Sequence, residues 1–94
     1  MKVVGRDRLE AFWSRHAAAK GALETWFDEA KKATWAKPQD IKDRYRSASF
    51  LADNRVIFNI RGNRYRLVVK VRYRNGIVLI EWVGTHAQYD KQRF

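Results

Sequence analysis

Cysteine is absent from this 94-residue chain. Its absence removes disulfides, a thiol nucleophile and any Cys-ligated metal from the options, and it fits a reducing compartment. Proline occurs once, methionine once and histidine twice. No apolar run approaches the roughly eighteen residues that a membrane span needs, and the segment after Met1 has no signal-peptide h-region, so a soluble, unprocessed, cytoplasmic protein is expected. Acidic residues are scarce as well: 10 Asp and Glu stand against 20 Lys and Arg, giving a net charge of +10. Such a field concentrates polyanions, and counterion release favours their binding, so an anionic partner is implied.

What is present points to a folded protein. Hydrophobic residues make up 46% of the chain and aromatics 14%, more than disordered chains carry. The length suits one domain with one core, 1–94, so any active site has to lie on that domain's surface. The charge is uneven. Residues 1–36 hold seven basic and five acidic side chains, a net of +2, whereas residues 37–94 hold thirteen and five, a net of +8. The first part reads as scaffold and the second as binding surface.

Met1-Lys2-Val3-Val4 is β-prone, and Gly5 marks a break. Asp7 and Glu10 have capping-box spacing, and Leu9, Phe12, Trp13 and Ala17 follow at helical intervals, predicting a helix near 7–16. Ala19, Leu23, Trp26, Phe27 and Ala30 repeat the pattern, predicting a second helix over 19–33. Both aromatic stripes read as core. Pro38 suits the first position of a short helical turn through Arg44. Residues 47–51 are ambiguous between loop and strand, and Asp53-Asn54 reads as a turn.

From residue 55 the period becomes that of strands. Strands are predicted over 55–60, 64–73 and 77–83, joined by turns at Arg61-Gly62-Asn63 and Arg74-Asn75-Gly76, the second containing an Asn-Gly pair. A short polar tail from Thr85 to Phe94, capped by Thr85, closes the chain with one or two helical turns. The order β, α, α, β-meander describes a single α+β domain without internal repeats.

Alternation in the long strand puts Arg64, Arg66, Val68, Lys70, Arg72 and Arg74 on one face, so five of six positions there are cationic. A solvated sheet face ordinarily mixes Glu, Thr and Lys, whereas a run of one sign repels itself and is better explained as a track for a nucleic-acid backbone. His16 falls on the apolar side of the first helix and reads as a packing or edge residue. His86 lies in the polar tail, where one helical turn brings it beside Tyr89 and Asp90. Imidazole exchanges protons near neutral pH, which cleavage of RNA through its 2′-hydroxyl requires, and Arg holds phosphoryl oxygens through charge-assisted bonds. No His/Asp/Glu cluster has metal-ligand spacing and no Gly-rich phosphate loop is present, so neither a metal nor another cofactor is expected.

The block Val56-Ile57-Phe58-Asn59-Ile60-Arg61-Gly62-Asn63-Arg64-Tyr65-Arg66-Leu67, with the tail Thr85-His86-Ala87-Gln88-Tyr89-Asp90, closely resembles the HigB-type toxins of bacterial toxin-antitoxin pairs, within the RelE-like group. The resemblance extends over almost the entire chain, leading helices included. It implies a twisted antiparallel sheet with two helices packed on one face. It also implies an mRNA interferase that enters the ribosomal A site, cuts the message and arrests translation. A HigA-like helix-turn-helix antitoxin is the implied partner, together with mRNA and the ribosome; operator DNA is reached only through the antitoxin complex and no membrane is involved. Members of this group build their sites from dispersed basic residues and a tyrosine, so roles are assigned residue by residue. His86 is expected to transfer the proton, Arg64 and Arg66 to bind phosphate, Lys70 and Arg72 to support the transition state, and Tyr89 to stack or share protons. Arg61, Arg64, Arg74 and Lys91 are expected to bind RNA. Asp90 either orients His86 or pairs with Lys91 or Arg93. Two other readings stay open on the residues alone: a non-catalytic RNA- or DNA-binding module using strand 64–74, and a ribosome-associated protein whose cations neutralise rRNA.

Overall fold

A computed structural model describes residues 1–93; Phe94, the last residue of the expected tail, lies outside the described residues. The chain begins with β1 (Lys2–Val4) and α1 (Arg6–Trp13), followed by a 3-10 turn at Ala17–Ala19 and α2 (Lys20–Lys32). Next come α3 (Pro38–Arg44), β2 (Ser49–Leu51), β3 (Arg55–Ile60), β4 (Tyr65–Arg72), β5 (Ile77–Thr85) and α4 (His86–Tyr89). The strands form one five-stranded sheet in the order β1-β5-β4-β3-β2.

The expected antiparallel sheet is in fact mixed. From β2 to β5 all pairings are antiparallel, but β1 runs parallel to β5, with Lys2 opposite Ile77 and Val4 opposite Leu79. Parallel strands need a long crossover, and here the entire chain between them supplies it.

Local chemistry accounts for most boundaries. Gly5, at φ 105, adopts a left-handed conformation that glycine reaches without a Cβ penalty, and α1 starts on it. Asp7 is not the cap expected of it; it lies inside the first turn, where a carboxylate meets the positive end of the helix dipole. Glu10 pairs with Arg6 at 3.2 Å instead of reaching back to a cap. The first helix stops at Trp13, short of the expected residue 16, where the Ser14 hydroxyl donates to the Ala11 carbonyl at 2.8 Å. Pro38 opens α3, and the Asp40 carboxylate accepts from the Ala36 and Lys37 amides at 2.9 and 3.3 Å. The ambiguous segment before Asp53 contributes the edge strand β2, which turns into β3 through Asp53 and Asn54, both at positive φ.

One core cluster unites Leu9 and Phe12 of α1 with Leu23, Trp26 and Phe27 of α2, Ile41 of α3, and Val56, Phe58, Leu67, Val69, Val71, Val78 and Ile80 of the sheet. These strand positions define the core face. Arg66, Val68, Lys70 and Arg72 occupy the other, outer face of β4.

An irregularity in β5 matters for function. Val68 pairs with Trp82 but Val69 pairs with Ile80, so Glu81 is an extra residue on β5. Such a bulge resets the alternation. Without it Trp82 would continue the inward series Val78, Ile80; with it, Val83 faces the core and Trp82 and Gly84 join the outer face opposite Val68 and Arg66.

Candidate active site

The register of β4 and β5 brings Arg66 opposite Gly84 at the end of the sheet from which α4 emerges. Thr85 and Gln88 fix that emergence reciprocally. The Thr85 hydroxyl accepts from the Gln88 amide at 3.1 Å and the Gln88 Oε1 accepts from the Thr85 amide at 2.9 Å, a complete capping box. Thr85 thus caps the tail helix as the sequence suggested. The His86 amide also donates to the Arg64 carbonyl at 3.1 Å, tying α4 to the start of β4.

These constraints place His86 between a cation and a carboxylate. Arg66 Nη2 lies 3.0 Å from His86 Nε2, and His86 Nδ1 lies 3.3 Å from Asp90 Oδ2. A guanidinium can only donate, so in this contact Nε2 is the acceptor, and Nδ1 lies on the side of Asp90. Asp90 thus flanks the imidazole at ion-pair distance. The arrangement offers a lone pair on Nε2 beside a permanent cation, which suits removal of a proton from a group bound next to a phosphate.

Tyr89 completes the group. The Arg66 guanidinium lies 4.7 Å over the Tyr89 ring, and the Tyr89 and Trp82 rings are 6.0 Å apart. The Trp82 indole in turn covers Gly84: a Cβ built there would fall 2.5 Å from two of its ring carbons and 2.8 Å from Gln88 Oε1. Only glycine leaves that space. Arg66, Tyr89, Trp82 and Gly84 pile up in that order, the Trp82 and Tyr89 rings tilted at 59°, and His86 stands at the side of this stack. Within it, Arg66 Nε is buried without a hydrogen-bond partner among the described residues, an unmet donor on the guanidinium that contacts His86.

The other expected site residues are dispersed. Lys70 and Arg72 share the outer face with Arg66 but lie four and six residues along β4, roughly 13 and 20 Å away at strand rise, so one phosphate cannot touch all three. Beside Lys70 stand Arg55, its cross-strand partner, and Glu81, which accepts from Arg55 at 2.7 Å. Arg64 is exposed at the turn before β4, near His86. Arg74 sits in the turn beyond Arg72, at the opposite end of β4 from α4. Arg61, at φ 54, donates to the Ala18 carbonyl at 3.2 Å and so turns toward the leading helices. Lys91 is exposed just past α4.

Sequence reasoning missed Trp82 and Gly84, since nothing in the run Ile77–Val83 announces a bulge. It also missed a cleft of about 510 Å³ lined by Phe12, Arg15, His16, Trp82, Val83, Gln88 and Gln92, beside the stack. His16 does pack as expected, stacked on Phe12 with centroids 4.4 Å apart, yet it also walls this cleft. Two tyrosines elsewhere hold their protons more firmly than an ordinary phenol: Tyr45 through burial and then its bond to Glu29, Tyr73 through burial and then the charge of Asp40. Among the described residues no group of three or more His, Asp or Glu is placed to hold a metal ion, and no helix is long and apolar enough to cross a membrane.

No curated protein matches the chain. A family does, over residues 19–92, from the 3-10 turn to just past α4; β1 and α1, which the sequence resemblance had included, fall outside the match. With the greater part of the chain and the whole Arg66–His86–Tyr89 group inside it, the protein belongs to the HigB_toxin family, the RelE-like toxic component of a toxin-antitoxin system.

Proposed function

We propose that this toxin is a ribosome-dependent, metal-independent endoribonuclease that cuts mRNA in the cytoplasm and so stops translation. The observation that carries the reading is the Arg66–His86 contact at 3.0 Å, with Asp90 behind the imidazole and Tyr89 beneath the guanidinium. In this reading the scissile phosphate enters beside Arg66, whose guanidinium turns from Nε2 to the non-bridging oxygens. Nε2 then takes the proton of the 2′-hydroxyl as the 2′-oxygen bonds to phosphorus. The bond from phosphorus to the 5′-oxygen breaks, and that oxygen takes a proton from the Tyr89 phenol. Charge building on the phosphorane is met by the Arg66 guanidinium.

Lys70 and Arg72, with Arg74 beyond them, lie too far along the strand to join this step, and they act as a track for the message backbone; Arg64 and Lys91 flank the site itself. Arg61 serves RNA only if it leaves the Ala18 carbonyl. The whole chain, 1–94, works as one domain. The antitoxin that the family implies is, in this reading, a HigA-like helix-turn-helix protein that also carries the complex to operator DNA.

The test is induction in cells with mapping of message 5′ ends. Codon-phased cuts that appear on induction support the reading, and His86→Ala lowers the cleavage rate by about 10²–10⁴ while leaving the thermal melt intact. Intact messages with normal growth refute it and favour the non-catalytic RNA-binding module. Cleavage by the His86→Ala variant at the wild-type rate removes His86 from the mechanism.

A further inference from the structure

The cleft beside the stack is built unlike the cationic strand. Its walls are an indole (Trp82), an imidazole (His16), two primary amides (Gln88, Gln92) and one guanidinium (Arg15), over a floor formed by Phe12. Aromatic faces and amide edges together are the chemistry that recognises a nucleobase, by stacking and by in-plane hydrogen bonds.

Three of the walls are held before anything binds. The His16 ring is set by its stack on Phe12 at 4.4 Å. The indole of Trp82 is set over Gly84, where no Cβ fits. The Gln88 amide is set by the capping box: its Oε1 is committed to the Thr85 amide at 2.9 Å, so its Nε2 presents two donors in a fixed direction. Preorganised walls lower the entropic cost of binding. Arg15 makes no ion pair among the described residues and stands ready for a phosphate. The cleft adjoins the proposed cleavage point, since Trp82 separates it from Tyr89 with ring centroids 6.0 Å apart.

We propose that this cleft receives the nucleobase next to the scissile phosphate of single-stranded RNA, with Gln88 selecting the base and Arg15 holding that nucleotide's phosphate. The proposal rests on the nuclease reading for its register along the message, but base binding is measurable without cleavage. It gives the protein a base preference that the cationic strand, which meets only phosphates, cannot supply.

Gln88→Glu is the decisive variant. Glutamate at this position closes the same capping box, so α4 keeps its start, but the two donors are lost. The probes are 2′-O-methyl homotrinucleotides of A, C, G and U, whose blocked 2′-oxygen prevents cutting, titrated into the full chain by NMR. The expected result is movement of the Gln88 and Gln92 side-chain amide signals and the Trp82 indole N–H, with one base bound about fivefold or more tightly than the others. Gln88→Glu erases that preference, and Arg15→Gln weakens all four probes without changing their order. Unmoved cleft signals, or a preference that survives Gln88→Glu, overturn the base pocket. If messages are still cut in cells, that outcome leaves the nuclease reading standing. Movement of the cleft signals with no cut product on ribosomes upholds the pocket and overturns the nuclease. Neither movement nor product overturns both.

Discussion

Gly84→Ala adds one methyl group at the centre of the stack. The new carbon would lie 2.5 Å from two Trp82 ring carbons and 2.8 Å from Gln88 Oε1, whereas relaxed carbon contacts begin near 3.5 Å. About 1 Å has to be found. The β5 backbone cannot give it easily, being paired to β4 through Arg66, so the indole swings away and takes the Tyr89 contact with it. Overpacking of this kind costs about 1–3 kcal/mol, and removing a strand glycine returns about 0.5–1 kcal/mol. A net loss of up to about 2.5 kcal/mol follows, which for a chain of this size lowers Tm by up to roughly 20 °C. Such a protein stays folded at 25 °C, yet under the proposed nuclease function its cleavage of message on programmed ribosomes falls by at least about tenfold because Arg66 loses its platform. Thermal melts by circular dichroism and timed message cleavage measure the two effects. Adding Trp82→Leu separates them: the shorter side chain relieves the clash, so the double variant regains stability with a coupling above about 0.5 kcal/mol, but activity stays low. A Gly84→Ala protein with wild-type melt and wild-type cleavage, or strictly additive melts across the cycle, refutes the stack.

Tyr89→Phe keeps the ring under Arg66 and removes the hydroxyl, whereas Tyr89→Ala removes both; if the phenol donates to the leaving oxygen, both variants lose about 10²-fold or more in single-turnover rate, and a near-normal Tyr89→Phe reduces Tyr89 to a platform. Lys70→Ala and Arg72→Ala each lower the slope of log affinity against log salt for single-stranded RNA by about 0.7 without altering base preference; an unchanged slope in filter binding removes that cation from the track. Tyr45 is held protonated above its ordinary value of 10.0 by burial and by Glu29. The folded state therefore binds that proton more tightly than the unfolded one, and its contribution, complete below about pH 10, is lost as pH rises beyond it. Urea midpoints should fall less steeply with pH in Tyr45→Phe than in the wild type, and equal slopes would remove Tyr45 from the alkaline limb.

How much of this was readable in the sequence depends on the range of each interaction. The stripes Leu9–Phe12 and Leu23–Trp26–Phe27 and the alternation from Tyr65 to Val71 are local, and their periods located both helices and the long strand. Thr85 and Gln88 are three residues apart, so the cap of α4 was readable too. His86 stood out as the histidine in a polar segment, and one helical turn sufficed to put Asp90 against it. What escaped was non-local. The three residues of β1 carry no sign of a parallel partner at Ile77–Leu79, and Asp7 had cap chemistry at a position that Gly5, through its backbone, had already made unnecessary. The bulge at Glu81 depends on the register between two strands, so Trp82 and Gly84 could not be assigned to the site before β4 and β5 were paired. Lys70 and Arg72 were placed on the correct face by alternation, but periodicity fixes a side chain's direction and not its distance from a histidine on another element.

The parallel seam between β1 and β5 also bears on how the molecule is assembled in time. Lys2 meets Ile77, a separation of 77 minus 2, or 75 residues, whereas the pairings from β2 to β5 close through short turns. Loop-closure entropy places the meander first and the seam late, and long-range closures of this kind slow folding. In the interval Ile77–Leu79 is a bare strand edge, open to any extended segment that reaches it, including the same strand of a second chain. The β1–β5 seam thus governs how long a newly made chain is open to aggregation before its sheet is complete.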